Sequence, residues 1–561
     1  MNQSLPLRTG GQILVDCLLA HGADLAFCVP GESYLAVLDA LYDVREKIRL
    51  TVCRQEGGAA FMAEAYGKLT GRPGICFVTR GPGATNASIG VHTAYQDSSP
   101  MILFIGQVGG DVVEREAFQE MDYRRVFGEM TKWVAQVDRV ERLAEYISHA
   151  FHLAVSGRPG PIVLSLPEDM LVSQAPAALP TSYQRIKPHP GDADMERLAH
   201  LLSEAAKPLL LVGGGDWTAQ ACGDLRGFSE RWNLPVACSF RRQDLLDNRH
   251  DNYVGEVGIA ISADLKRRVR EADVIIAAGP RLGEMTTGGY TLFDVPRIHT
   301  KLVHVHPGAE ELGRVYQADL MINAGMEEFA AAACRLDAPP KSSWRQWTES
   351  LRAEYLASLT PVEAPGAVNL SEVVAWLRER LPRDAILTNG AGNFSGWLQR
   401  FYQYGGFRTQ LAPTNGAMGY GVPAAIAAKL ALPQRTVVCF AGDGDYMMNG
   451  QELATAVQYG AAVVFIVVNN SMYGTIRMHQ EREYPARVFG TELRNPDFVA
   501  LAHAYGAYGA LVEKTADFAA AFDRALASGG PALLEVRLDP EAITTRTSLS
   551  AVREAAIKAG R

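Results

Sequence analysis

No run of about 18 apolar residues occurs in the chain, and that is the length a helix needs to cross a bilayer. The apolar stretch near the N-terminus, ILVDCLLA, is too short and too helically spaced for a secretory leader. A cytoplasmic protein with no membrane contact is expected. Blocks of Lys and Arg are also missing: 54 basic residues stand against 62 acidic ones, for a net charge of −8. That balance lacks the footprint of a nucleic-acid binder. Cysteine is sparse and scattered, at Cys17, Cys28, Cys53, Cys76, Cys222, Cys238, Cys334 and Cys439. With no CxxC and no histidine at zinc spacing, neither a disulfide framework nor a zinc site is expected, and buried free thiols are.

What remains is a soluble globular composition, 48% hydrophobic and 21% charged, in a chain long enough for roughly three to four domains. Short β-branched runs alternate with amphipathic helical stretches throughout. LAFCV, GICFVT and MILFIGQV read as strands in the first part, LLLVGGG, DVIIAAG and KLVHVHP in the second, and VVCF, VVFIVV and PALLEVRLD in the third. Strands that are apolar at every position belong to parallel sheets covered on both faces. Proline-bearing segments at Pro176–Asp192, in DAPPKSS and at Thr360–Gly366 break the rhythm. The expected fold class is α/β, three doubly wound parallel-sheet domains over residues 1–175, 190–338 and 366–545.

The stretch Ala441–Asn470 carries the most chemistry. VVCF and VVFIVV flank a helical segment, so a right-handed crossover sets both strands parallel, with Asp443 and Asn470 at their carboxyl ends. The segment between reads as a turn at GDG and then a helix. A carboxylate, an amide oxygen and glycine-rich backbone at one edge suit a hard cation that also holds a phosphate ester. Gly442 and Gly444 let a diphosphate approach the main chain closely.

GDG and NN at this separation, together with RQEGGAAFMAEAYGKLTGRPG, TRGPGATNASIG, AYQDSSPMILFIGQV, AFQEMD and GAMGYGVPAAIAA, resemble the acetolactate synthase branch of the thiamine diphosphate (ThDP) enzymes. The resemblance spans the whole chain. It implies a pyrimidine-binding, a central and a diphosphate-binding domain, a 2-oxo acid substrate, and a homodimer or dimer of dimers with active sites at the subunit interface. By the same resemblance Asp443, Asn470 and the Met472 carbonyl hold Mg²⁺, and Met418 keeps ThDP bent. Glu56 supplies the carboxylic acid beside the aminopyrimidine ring. Further cofactor contacts are implied at Pro30, Gly83, Asn86, Asn393, Gly442, Gly444, Asp445, Tyr473 and Gly474. Phe118 and Gln119 match the pair flanking the substrate pocket, and Lys132 matches more loosely.

Three departures bear on the substrate. Glu32 stands where biosynthetic relatives carry a small residue; it is either a second carboxylate acting on the substrate or a surface acid opening a helix. His479 replaces a tryptophan that recognises the longer 2-oxo acid, and with Arg477 it suggests a polar or anionic acceptor, unless it is an ordinary loop histidine. In the central part GPRLGEMTTGG and VHVHP, with His304 and His306, replace the acids of FAD-binding relatives, so FAD is disfavoured. The expected activity is a ThDP- and Mg²⁺-dependent lyase or carboligase, with acetolactate synthesis from pyruvate first and simple decarboxylation or another C–C cleavage second. A non-catalytic homologue and an NAD-dependent dehydrogenase are the rival classes. For the latter, no GxGxxG opens a helix after a strand.

Overall fold

The computed structural model describes residues 6–338 and 344–560. Part of the DAPPKSS hinge, 339–343, and the first five residues lie outside the described residues. The chain forms two compact units, one of Met1–Ile186 with Ile426–Ala431, the other of Lys187–Ala425 with Leu432–Arg561.

In the first unit six parallel strands stand in the order Arg49–Val52, Leu25–Cys28, Gly74–Val78, Met101–Gln107, Pro161–Pro167 and Trp133–Gln136. Their unbroken apolar character has a simple cause. Ile75, Phe77, Ile102, Phe104, Ile162 and Leu164 pack into one core cluster, while the alternating Cys76, Leu103 and Val163 are equally buried on the other face. Residues of opposite parity in a strand point to opposite faces. On that second face the helices Glu56–Thr70 and Gly81–Asp97 come close because their contact residues are small. A Cβ on Gly90 would run into Ala60.

The second unit holds two more six-stranded parallel sheets. The central one orders Tyr253–Val257, Val236–Ser239, Pro208–Val212, Val274–Ala278, Lys301–His306 and Leu320–Asn323. The other orders Gln410–Leu411, Ile386–Asn389, Val437–Gly442, Val464–Asn469, Ala532–Arg537 and Tyr508–Val512. Val437–Gly442 and Val464–Asn469 are parallel neighbours with Val438 opposite Val464, the pairing expected of the crossover.

Two local differences have physical reasons. The GDG residues are not a turn but the first turn of a helix, Asp443–Asn449, entered through an extended Gly442. Asp443 and Asp445 there suit the positive end of the helix dipole. Between the expected domain limits, the helix Arg345–Ser358 joins the central core through Trp347, Leu351 and Tyr355, with Trp344 just before it. Their spacing makes an apolar helical stripe, hidden in the sequence by the prolines on either side. Six of the eight cysteines are buried and all are free thiols.

Candidate active site

After Ile386–Asn389 the third sheet adds Gln410–Leu411 on one side, then crosses to lay Val437–Gly442 on the other. The winding reverses between Ile386–Asn389 and Val437–Gly442. A doubly wound sheet opens a crevice there, outside its carboxyl ends. A cavity of about 230 Å³ occupies that place, walled by Ala391–Phe394, Gly442–Asp445, Asn470 and Met472–Ile476, with Met418 also in its lining. Of the residues read from the sequence, Asn393, Met418, Gly442, Asp443, Gly444, Asp445, Asn470, Met472, Tyr473 and Gly474 all line it. Phe394, Trp397, Val468, Leu538 and Ile543 make the apolar part of the wall.

Asp443 is buried. Its Oδ1 accepts the Gly444 N–H at 2.9 Å and its Oδ2 the Asn495 amide at 2.8 Å. Burial pushes its carboxyl up, and these donors oppose the shift. Asn495 also donates to Asn469 Oδ1 at 2.9 Å, tying the ends of two strands together. Sequence reading missed it; the Asn-Pro pair at 495–496 signals only a turn. Asn470 Oδ1 accepts the Met472 N–H at 3.3 Å, which fixes the direction of that side chain. Gly444 is needed for closeness, since a Cβ would sit 2.6 Å from the Tyr473 ring.

Asp445 fastens two loops onto the start of the helix. Its Oδ1 accepts from Gly419 N at 2.8 Å and Ala391 N at 3.2 Å. Burial pushes its carboxyl up to about 7, against the pull of those N–H groups and of Arg241. Arg241, also missed, belongs to the central part of the chain. Its guanidinium donates to Gly390 O at 3.0 Å and to Pro413 O, while the Arg241 backbone N–H donates to the buried Glu256 carboxylate at 2.8 Å. It holds φ of +60°, a region disfavoured for a side chain of this size.

His479 is exposed on the helix Gly474–Glu483 and is not part of the cavity wall. Arg477, read as facing an anionic acceptor, is instead turned to Glu481 on its own helix, with bonds of 3.0 and 2.9 Å. Arg553 of the last helix takes the same carboxylate at 2.7 Å twice. Arg553, with help from the Ala486 N–H and Arg477, holds that carboxyl down to about 2. This clasp fixes the C-terminal segment whose Ala542 and Ile543 line the cavity.

In the first unit Glu56 opens the helix Glu56–Thr70, capped by the Gln55 side chain on Gly58 N. Its Oε2 accepts the Asn86 amide at 2.9 Å, and a Cβ on Gly83 would stand 3.3 Å from its Oε1. Glu56, Gly83 and Asn86 are therefore together. Glu56 is half-buried, less shielded within its own unit than its apolar sequence neighbours imply. Pro30 and Glu32 are exposed just beyond the strand Leu25–Cys28. Lys132 is committed elsewhere: its ammonium donates to Leu153 O at 2.6 Å and Ser156 O, closing the end of a helix.

Family models match three regions of the chain. Residues 8–126 match the thiamine pyrophosphate enzyme N-terminal TPP binding domain, 195–333 the central domain, and 390–536 the C-terminal TPP binding domain. The chain is 32% identical over 537 residues to the acetolactate synthase isozyme 2 large subunit of Escherichia coli (strain K12), covering 94% of this chain and 95% of that one. It is 32% identical over 558 residues to the mitochondrial acetolactate synthase of Schizosaccharomyces pombe, covering 94% and 83%. The chain belongs to the thiamine pyrophosphate enzymes. It is an acetolactate synthase-like member of them, a ThDP-dependent carboligase or decarboxylase.

The donor set of this thiamine pyrophosphate enzyme fits a hard divalent cation. One buried carboxylate, one amide oxygen and a backbone carbonyl lie at a cavity edge, leaving other positions to phosphate oxygens. The central sheet has its own switch point, between Pro208–Val212 and Val274–Ala278. There the chain closes on itself. A Cβ on Gly214 would collide with Gly279 O, and the buried Trp217 donates its indole N–H to Gly213 O at 2.7 Å. His304 is buried and bonds Pro280 O at 2.9 Å.

Proposed function

We propose that this enzyme binds ThDP with Mg²⁺ in the cavity of the third sheet and acts on a 2-oxo acid, joining two pyruvates with loss of one CO₂. The observation that carries the reading is that cavity, at a switch point, with Asp443 and Asn470 on one edge and Met418 in its wall. Asp443, Asn470 and the Met472 carbonyl would hold the metal, and Asn393, Gly442, Gly444, Asp445, Tyr473 and Gly474 the diphosphate and thiazolium. Glu56, with Pro30, Gly83 and Asn86, would serve the aminopyrimidine, and Phe118 and Gln119 would flank the substrate. Glu32 is the acid–base candidate; His479 would act at the rim of the site. ThDP, when bound, supplies the carbon nucleophile and electron sink that decarboxylation of a 2-oxo acid requires. The names of the relatives support acetolactate as product; the assembly proposed with it is a homodimer or dimer of dimers.

Pure protein with pyruvate, ThDP and Mg²⁺ is expected to release one CO₂ for every two pyruvates consumed and to accumulate acetolactate. Acetaldehyde as the sole organic product would replace carboligation by simple decarboxylation; no CO₂ from any 2-oxo acid would remove the reading. A second reading, a decarboxylase for another 2-oxo acid, is favoured by the exposed Glu32 carboxylate at the edge of the first sheet. We further propose that FAD is absent or weakly held, on the strength of Trp217 and the Gly214–Gly279 contact at the central switch point. The absorption spectrum of the purified enzyme is expected to show no flavin band, and a stoichiometric one would overturn this.

A further inference from the structure

The first sheet reverses its winding between Leu25–Cys28 and Gly74–Val78. The two chain segments leaving these strands touch. Ser33 Oγ and Thr79 Oγ1 are 2.9 Å apart, and a Cβ on Gly31 would run into Thr79. Glu32 leaves one segment and Arg80 the other. Arg80 is nearly buried, at 8% side-chain exposure, and its guanidinium is divided among three groups. Nη2 donates to Glu168 Oε2 at 2.8 Å; Nη1 donates to Phe118 O at 3.3 Å and lies 3.8 Å from Glu32 Oε1.

The distances assign different tasks. The Glu168 contact is a hydrogen-bonded ion pair and serves as the anchor. The Glu32 contact is too long for a hydrogen bond, so Glu32 is attracted but not locked. The segment that Phe118 belongs to is held by a set of hydrogen bonds, among them Gln107 Nε2 donating to Met121 O at 2.9 Å. Gln119, at φ +65°, accepts the Gly81 N–H at 3.0 Å, and Glu120 folds the preceding residues by accepting from Glu114 N at 2.7 Å and Ala117 N at 3.0 Å. An ion pair made only for stability needs Arg80, nearly buried, and Glu168, whose side chain is 46% exposed. It does not need the second nitrogen turned to a loop carbonyl and a second, exposed acid.

We propose that Arg80 is a positioning residue for the substrate end of the site, setting the spacing between the Glu32 carboxylate and the Phe118–Gln119 segment with Glu168 as its anchor. The kinetic part of this inference rests on the 2-oxo acid reading above; the structural part does not. A lysine keeps the charge but has no planar fork to divide between partners.

The test uses the full-length enzyme with ThDP and Mg²⁺, comparing Arg80→Lys, Arg80→Gln, Glu32→Gln and the double variant Arg80→Lys/Glu32→Gln. Hydrogen exchange of peptides covering 113–122 is expected to quicken about tenfold in both Arg80 variants, as for a segment losing about 1.4 kcal/mol of protection. With pyruvate, Arg80→Lys is expected to raise KM about tenfold while leaving the ThDP activation constant unchanged. The double variant should be no worse than the poorer single one, since coupled residues are not additive. Unchanged exchange over 113–122 overturns the proposal even if no substrate is turned over, whereas absent turnover with quickened exchange counts against the 2-oxo acid reading alone. Additive losses, or a lowered melting temperature with wild-type KM, reduce Arg80 to a structural ion pair.

Discussion

Asp443→Asn is expected to weaken binding of ThDP with Mg²⁺ by about 100-fold or more, measured by titration calorimetry on the apo-enzyme. Loss of a group that merely supports a ligand costs roughly 10- to 100-fold in metal affinity, and Asp443 is proposed as the ligand itself, the charged member of its donor set. The substitution is close in shape but wrong in hydrogen-bond sense. Both carboxylate oxygens accept, from Gly444 N and from the Asn495 amide, and an asparagine offers one acceptor oxygen where two are needed. One donor is left facing an NH₂ group. The loss then has two sources, a missing negative charge and a disordered edge, and Asn495→Ala separates them by producing only the second. Wild-type affinity in Asp443→Asn would show that the cavity holds its ligand without this carboxylate.

Glu56→Gln is expected to lower kcat by about 10²- to 10⁴-fold, the usual contribution of a positioned general acid or base. ThDP affinity should fall far less. The replacement can still accept the Asn86 amide with its own oxygen, so the end of the helix and the contact at Gly83 persist. What disappears is the ability to give and take a proton. Deuterium exchange at C2 of bound ThDP, followed by NMR, reads that ability without any substrate, and near-wild-type exchange in the variant would take Glu56 out of the mechanism.

Much of this was legible in the sequence because its causes are local. Unbroken apolar runs such as MILFIGQ announce strands covered on both faces, and GDG with NN marks two strand ends that a crossover must bring side by side. Asn495 and Arg241 were not legible. Each acts across the fold, from 52 residues along the chain in one case and from another sheet in the other, and neither stands in a pattern with a period. Arg477 was misread for the opposite reason. Its charge was visible, but its partner Glu481, one helical turn on and itself shared with Arg553, decides where that charge points. Lys132 likewise spends its ammonium on helix carbonyls.

Arg241 is rooted in one sheet and grips the backbone of another, on the carbonyl of Gly390 beside the loop that Asp445 holds. The shape of the proposed cofactor cradle is thus a property of two folding cores rather than one. Repacking the central sheet, through Glu256 or the strand that carries it, becomes a way to retune cofactor affinity from a distance. The central domain thus reaches the wall of the cavity through a guanidinium on the backbone of Gly390.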